Sequence, residues 1–397
     1  MPTTATTTAD VEALDALAQR LMAAFTRAGY ERIAPAVIQP AELFLDVVGE
    51  SLRARTYVFV DPDGAELCLR PDITVPTCRL HLERHARAAT PARYCYAGSA
   101  FRYQPVGADR THPREFRQAG IESFADSDRD RDDAAVLVRI LAALREAGLR
   151  TMRLQLGDLG LLAALINALP MPERWRSRLR HVLARPEAFR AELNRLADGP
   201  APETSGRSEL LDRLDPDDPV SAEALVVEHL DKAGIELIGT RTAAEITQRL
   251  LAEAADRRER PLPRETAALI ESYIAVKAPA RVAVDRVAEL ARRHGIDLSG
   301  GLDAFARRLD LIENAGVSTA DAHFSAEFGR NLDYYTGFVF EVVSPVLGRR
   351  SPIAGGGRYD NLLAEVGAPM SVPAVGASIH TERLLAALQN AGRETGA

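Results

Sequence analysis

The sequence is almost without lysine. Of its 49 Lys and Arg only Lys232 and Lys277 are lysine, so a site for a phosphate or a carboxylate must be built from guanidinium forks. Positive charge is also the minority sign. The 56 Asp and Glu leave a net charge of -7, which argues against a broad nucleic-acid-binding face. Cysteine is scarce: Cys68, Cys78 and Cys95 are odd in number and not at CxxC spacing, which excludes a disulfide framework and fits free thiols in a reducing compartment. The eight histidines are scattered, so no metal site is expected, and without a GxGxxG fingerprint no dinucleotide cofactor is expected either. No apolar run has the length of a bilayer span. The segment Met1 to Ala9 is Thr-rich, with neither the basic start nor the apolar core of a secretory signal. A cytoplasmic protein without a membrane partner is expected.

What is present is ordinary globular material. Apolar residues at 46% and charged residues at 26% suit a packed chain, and 397 residues suit two or three domains. Asp10 reads as a cap for a helix whose apolar stripe is Val11, Leu14, Leu17, Leu21 and Phe25. Tyr57–Val60 and Glu66–Leu69 flank Asp61-Pro-Asp-Gly64 and predict a hairpin. Residues 73–86 read as a helix, 92–104 and 116–123 as strands joined by a charged loop, 132–147 as a helix, and 152–156 as a strand. From Leu159 to about Gly316 helical periodicity dominates, broken near 198–206 and 260–263. A strand returns at 337–343, then the Gly-rich Ala354–Asp360, then a helix over 381–390. Hairpin-linked strands with helices to the side predict an α+β fold on an antiparallel sheet, divided as 1–158, a helical insertion over 159–314, and 315–397.

Four clusters carry chemistry. In Leu69-Arg-Pro-Asp-Ile-Thr74, Asp72 and Thr74 can hold an ammonium group, although, taken alone, a turn with a helix cap at Asp72 is the commoner reading of such a pair. Arg102 ends one strand, and Gln118 and Glu122 share a face of the next, because strand side chains repeat every two residues. Together they can grip a zwitterion; a salt-bridge ladder is the plain alternative. Phe328-Gly-Arg-Asn-Leu-Asp-Tyr-Tyr-Thr-Gly337 offers Arg330, Tyr334 and Tyr335 as a pocket wall or as aromatic core. Gly355-Gly-Gly-Arg-Tyr-Asp360 brings Tyr359 and lets a backbone approach a ligand. It pairs with Pro373 to Arg383, where Arg383 can reach an anion or form a solvated helix ion pair.

The order and spacing of these clusters resemble the histidyl-tRNA synthetase catalytic domain, a class II aminoacyl-tRNA synthetase-like fold. Pro35 after Gly29-Tyr30 resembles its first motif, Phe101-Arg-Tyr and Arg117 to Glu122 its second, and Gly376 to Arg383 its third. Arg330 to Gly337 and Gly355 to Asp360 are similar to its two histidine signatures. The resemblance implies that L-histidine binds Asp72, Thr74, Arg102, Gln118, Glu122, Arg330, Tyr334, Tyr335 and Tyr359. The sequence departs from that family in three ways. It runs only 14 residues past Arg383, so no anticodon-binding domain of roughly a hundred residues is expected. His380 stands where a Gly lets adenosine lie on the backbone, and Gln104 replaces a Glu near the adenine. These departures resemble the regulatory subunits of ATP phosphoribosyltransferase. That resemblance implies a non-catalytic subunit that binds histidine and no tRNA. It also implies a homodimer that joins the short-form catalytic subunit in a hetero-octamer. A histidine-activating ligase is the alternative, which the retained Arg330 favours.

Overall fold

The computed structural model describes residues 7–45, 50–105, 107–109, 111–199, 206–232, 242–330 and 332–394. Most of the loop read near 198–206 lies outside them. The chain forms two compact units. One comprises residues 1–168, 181–186 and 271–397; the other comprises 169–180 and 187–270.

Among the described residues, the first unit has twelve strands: β1 (Glu31–Arg32), β2 (Ile38–Pro40), β3 (Tyr57–Val60), β4 (Glu66–Leu69), β5 (Ala92–Phe101), β6 (Glu115–Phe124), β7 (Arg153–Asp158), β8 (Lys277–Pro279), β9 (His323–Ser325), β10 (Phe338–Val343), β11 (Ala354–Arg358) and β12 (Ala374–His380). Nine form one sheet in the order β1-β5-β6-β12-β11-β10-β7-β9-β8. From β5 across to β7 every pairing is antiparallel; β1 joins β5 and β9 joins β7 in parallel. The expected α+β fold is therefore found, with a mixed rather than purely antiparallel sheet. A separate small sheet, β2-β4-β3, contains the expected hairpin.

Local chemistry sets the helix ends. The first helix, Thr8–Arg27, is capped by Thr7, whose hydroxyl accepts from the Asp10 amide at 3.2 Å. Asp10 therefore lies in the first turn, where its charge suits the helix dipole, and is not the cap expected from the sequence. Leu14, Leu17, Leu21 and Phe25 are buried, while Val11 remains exposed. The helix Arg129–Glu146 is capped by Asp128, which accepts from the Arg131 amide, and begins three residues earlier than the expected 132.

Three strands went unread, β9, β11 and β12, and β8 falls inside the stretch read as helical. Glycine weakens a strand, so Ala354-Gly-Gly-Gly-Arg358 reads as a loop. Here close packing requires it. A Cβ at Gly357 would stand 2.5 Å from the Phe338 carbonyl oxygen, and one at Gly356 would overlap Ala377.

The second unit is helical. Leu210, Leu214, Val226, Leu251 and Ala254 form its own core. Asp256 receives Arg174 at 2.5 Å and also Arg178, and the Trp175 indole donates to the Arg260 carbonyl at 2.8 Å. Thr242 and Glu245 close a reciprocal capping box on the helix Ala243–Arg258.

Candidate functional site

A cavity of about 420 Å³ lies in the first unit. Its walls come from β6, β10, β11, β12 and the segments around Asp72, Arg102, Thr111, Arg330 and Arg350. Seven of the nine residues expected to form a site line it: Asp72, Thr74, Arg102, Gln118, Arg330, Tyr334 and Tyr335. Glu122 and Tyr359 do not. They are fully buried, one layer behind the wall. Thr74 starts the helix Thr74–Arg84 and donates its hydroxyl to Glu122 Oε1 at 2.8 Å. Tyr96 donates to the same oxygen at 2.9 Å, and Tyr359 donates to Oε2. Gly376 makes room for this carboxylate, because any Cβ there would overlap it. Burial pushes Glu122 up to about 7, against the pull of the three hydroxyl donors.

Two buried acceptors on the cavity wall have no partner, Asp72 Oδ2 and Gln118 Oε1. The other Asp72 oxygen accepts from the Val75 amide at 3.2 Å, and Gln118 Nε2 donates to Ser378 at 3.2 Å. Burial raises the Asp72 carboxyl, although Arg102 opposes this. A buried acceptor without a donor is costly, so these atoms suit a ligand that brings N–H groups.

The opposite charge comes from two arginines. Arg102 donates Nε to the Pro71 carbonyl at 2.7 Å, and its guanidinium lies 5.2 Å from the Phe116 ring centre. Gln118 and Glu122 pair across the β5–β6 ladder with Gly98 and Tyr94, so Arg102 lies just beyond the ladder rather than opposite them. Arg330 adopts φ 58, a left-handed conformation rare for a bulky residue and concentrated at functional sites. It donates to Tyr335 Oη at 2.8 Å and to Glu341 at 3.2 Å. Burial pulls Arg330 down, but Tyr335 and Glu341 outweigh it and hold the guanidinium firmly charged. Gly355, opposite Glu341 in the β10–β11 register, leaves space for this side chain. Tyr334, Tyr335 and Tyr359 form an aromatic cluster, with centroids of the first two 4.8 Å apart.

The lining also includes His380, Gln104 and Arg383. His380 lies 5.1 Å from Phe116, ring centre to ring centre, and burial with Arg383, Arg102 and Arg330 nearby keeps its imidazole neutral. Arg383 does not form the solvated helix ion pair considered from the sequence. It is half-buried and donates to the carbonyls of Thr111 and Pro352, each at 2.9 Å. Gln104 donates to the Pro113 carbonyl at 3.1 Å and accepts from Arg55 at 2.5 Å. Sequence reasoning missed Arg55, Glu341, Arg350 and Tyr96. Only Glu341 carried a local signal, as the one charge within Phe-Val-Phe-Glu-Val-Val343.

Comparison with known proteins settles the family. The histidyl-tRNA synthetase family model matches residues 5–250 and 225–384. The ATP phosphoribosyltransferase regulatory subunit of Agrobacterium fabrum is 38% identical over 377 residues, covering 93% of this chain and 96% of the relative. That of Brucella anthropi is 36% identical over 353 residues, covering 88% and 90%. The chain belongs to the ATP phosphoribosyltransferase regulatory subunit family. Solved structures share the fold of this family. An ATP phosphoribosyltransferase regulatory subunit/histidyl-tRNA synthetase from Bacillus halodurans C has TM-score 0.66 at 21% identity, covering 97% of this chain and 82% of that one. A histidine–tRNA ligase subunit from Alicyclobacillus acidocaldarius has TM-score 0.59 at 24% identity, covering 99% and 98%. The class II synthetase-like fold expected from the motifs is thus the fold of the family. Within this member, Asp72, Thr74, Arg102, Gln118 and Arg330 give the cavity a polar lining, while Gln104 and Arg383 are tied to neighbouring backbone carbonyls and His380 lies against Phe116.

Proposed function

We propose that this chain is the regulatory partner of a short-form ATP phosphoribosyltransferase catalytic subunit, and that its cavity senses free L-histidine. On this reading it supports the first step of histidine biosynthesis and makes that step sensitive to its end product, without aminoacylating tRNA. The supporting observation is the pair of unpartnered buried acceptors, Asp72 Oδ2 and Gln118 Oε1, in a cavity also lined by Arg102 and Arg330. A zwitterion satisfies both ends. Its ammonium group meets Asp72, Thr74 and Gln118, its carboxylate meets Arg330 and Arg102, and its ring lies against Tyr334 and Tyr335. Glu122 and Tyr359 act from behind, by fixing the Thr74 hydroxyl. Buried charge at both ends rejects ligands that lack either group.

His380 supports the non-catalytic reading, since a neutral imidazole packed at a tilt against Phe116 crowds the place an adenosine would need. The assembly is a homodimer that joins the catalytic subunit in a hetero-octamer, in the cytoplasm, with no tRNA. One observation favours a histidine-activating ligase instead: Arg330 still lines the cavity.

Formation of phosphoribosyl-ATP by the catalytic subunit, with and without this chain over a histidine series, tests the reading. Stimulation that histidine reverses is expected. A rate indifferent to the chain overturns the regulatory role, and brisk pyrophosphate exchange with ATP and histidine identifies a ligase.

A further inference from the structure

Arg383 lies in the first turn of the helix Thr381–Glu394 and lines the cavity. Its two backbone partners belong to segments remote in sequence. Thr111 precedes β6 and Pro352 precedes β11. A third bond follows the same seam, from His112 Nε2 to the Arg350 carbonyl at 3.2 Å. Thr111, His112, Pro113 and Pro352 are half-exposed and Arg350 is exposed, whereas Asp72, Gln118 and Tyr334 are buried. The seam is therefore the rim of the cavity, and Arg383 spans it.

The charge around Arg383 is unusual for a guanidinium. Arg102 and Arg330 line the same cavity. Of the cavity's three carboxylates, Asp72 faces Arg102, Glu341 is bonded to Arg330 and Glu382 accepts from the Arg117 amide at 2.8 Å. Burial and Arg102 push Arg383 down to about 10, with Glu341 opposing. A cation held by carbonyls beside two other cations gains from any anion that enters.

We propose that Arg383 is a clasp: by joining Thr111 to Pro352 it closes the rim over the bound amino acid, and the ligand's carboxylate tightens it by offsetting the repulsion among Arg102, Arg330 and Arg383. This rests on the histidine reading of the cavity. Arg383 is a positioning residue that need not touch the ligand. A role confined to stiffening the fold would lower stability but leave ligand exchange alone.

Arg383→Lys keeps the charge and loses the two-armed reach. In the full-length protein without ligand, it should speed amide exchange in both 111–116 and 350–354 by about fivefold or more. It should also raise the histidine dissociation rate by about tenfold while leaving association unchanged or faster, since such changes fall mainly on dissociation. In the wild type, histidine should slow exchange in both segments. His112→Ala removes the third bond and should raise dissociation by about threefold; it carries the test if the Arg383 variant does not fold. Exchange and dissociation within about twofold of wild type, or loss of protection on one side only, overturns the clasp. If the wild type binds no histidine, the histidine reading fails, and ligand-free exchange still decides whether Arg383 joins the rim.

Discussion

Glu122 shows how far one side chain can be read from its neighbours in sequence. Strand alternation places it on the same face as Gln118, and both pack as that predicts. Only Gln118 reaches the cavity, because the Glu122 carboxylate turns into the space left by Gly376 and is taken by Thr74, Tyr96 and Tyr359. None of those three hydroxyls is near Glu122 in sequence, so no local pattern could show it. The same burial gives a pH signature. The folded-state pKa is about 7 against an ordinary 4.5, so between these values the folded protein holds a proton that the unfolded chain has lost. Stability from this group falls as pH rises through that window and is flat above it. Glu122→Gln should remove roughly 2–3 kcal/mol of the difference in unfolding free energy between pH 4.5 and 7.5, measured by urea titration. Asp133 is raised to about 7 in the same direction, so comparison with the variant isolates Glu122. An unchanged pH dependence would mean that Glu122 titrates normally.

At the scale of elements, legibility followed side-chain periodicity. The first helix, the β3–β4 hairpin and the β5–β6 pair carry apolar stripes or turn residues, and each forms close to where the sequence put it. β11 and β12 carry their information in what is missing. Their glycines are places where a neighbouring strand or a buried charge must come close, and a single chain does not reveal what will stand there. This predicts a contrast between glycines. Gly376→Ala places a methyl on the Glu122 carboxylate and should cost about 3 kcal/mol or more, with loss of histidine binding. Gly348→Ala meets no atom within 4 Å and pays only for its φ of 73, so about 1 kcal/mol is expected with binding intact. Equal effects in denaturant titrations and calorimetry would remove the packing explanation for the glycine-rich strand.

At the scale of the molecule, the helical periodicity that sets in near Leu159 announces helices but not how they group. The helices Ala280–Arg293 and Ser299–Asn314 belong to the compact unit that contains the sheet, and every residue lining the cavity belongs to that unit too. What the sequence could convey was the order of the motifs; what it could not was which contacts between remote segments close the pocket. Regulation adds a demand that the pocket alone does not meet. Histidine can move the assembly only by its difference in affinity between two states. If histidine changes the affinity of this chain for the catalytic subunit by some factor, the catalytic subunit must change its affinity for histidine by the same factor, about 5–150-fold for a coupling of 1–3 kcal/mol. Calorimetric titration of histidine into the chain alone and into the complex should give two dissociation constants in that ratio. Titrations of one subunit into the other, with and without histidine, should give the same ratio. Gln118→Ala should abolish binding in both settings. Equal histidine affinity in the free chain and the complex would mean that this cavity binds histidine without transmitting it.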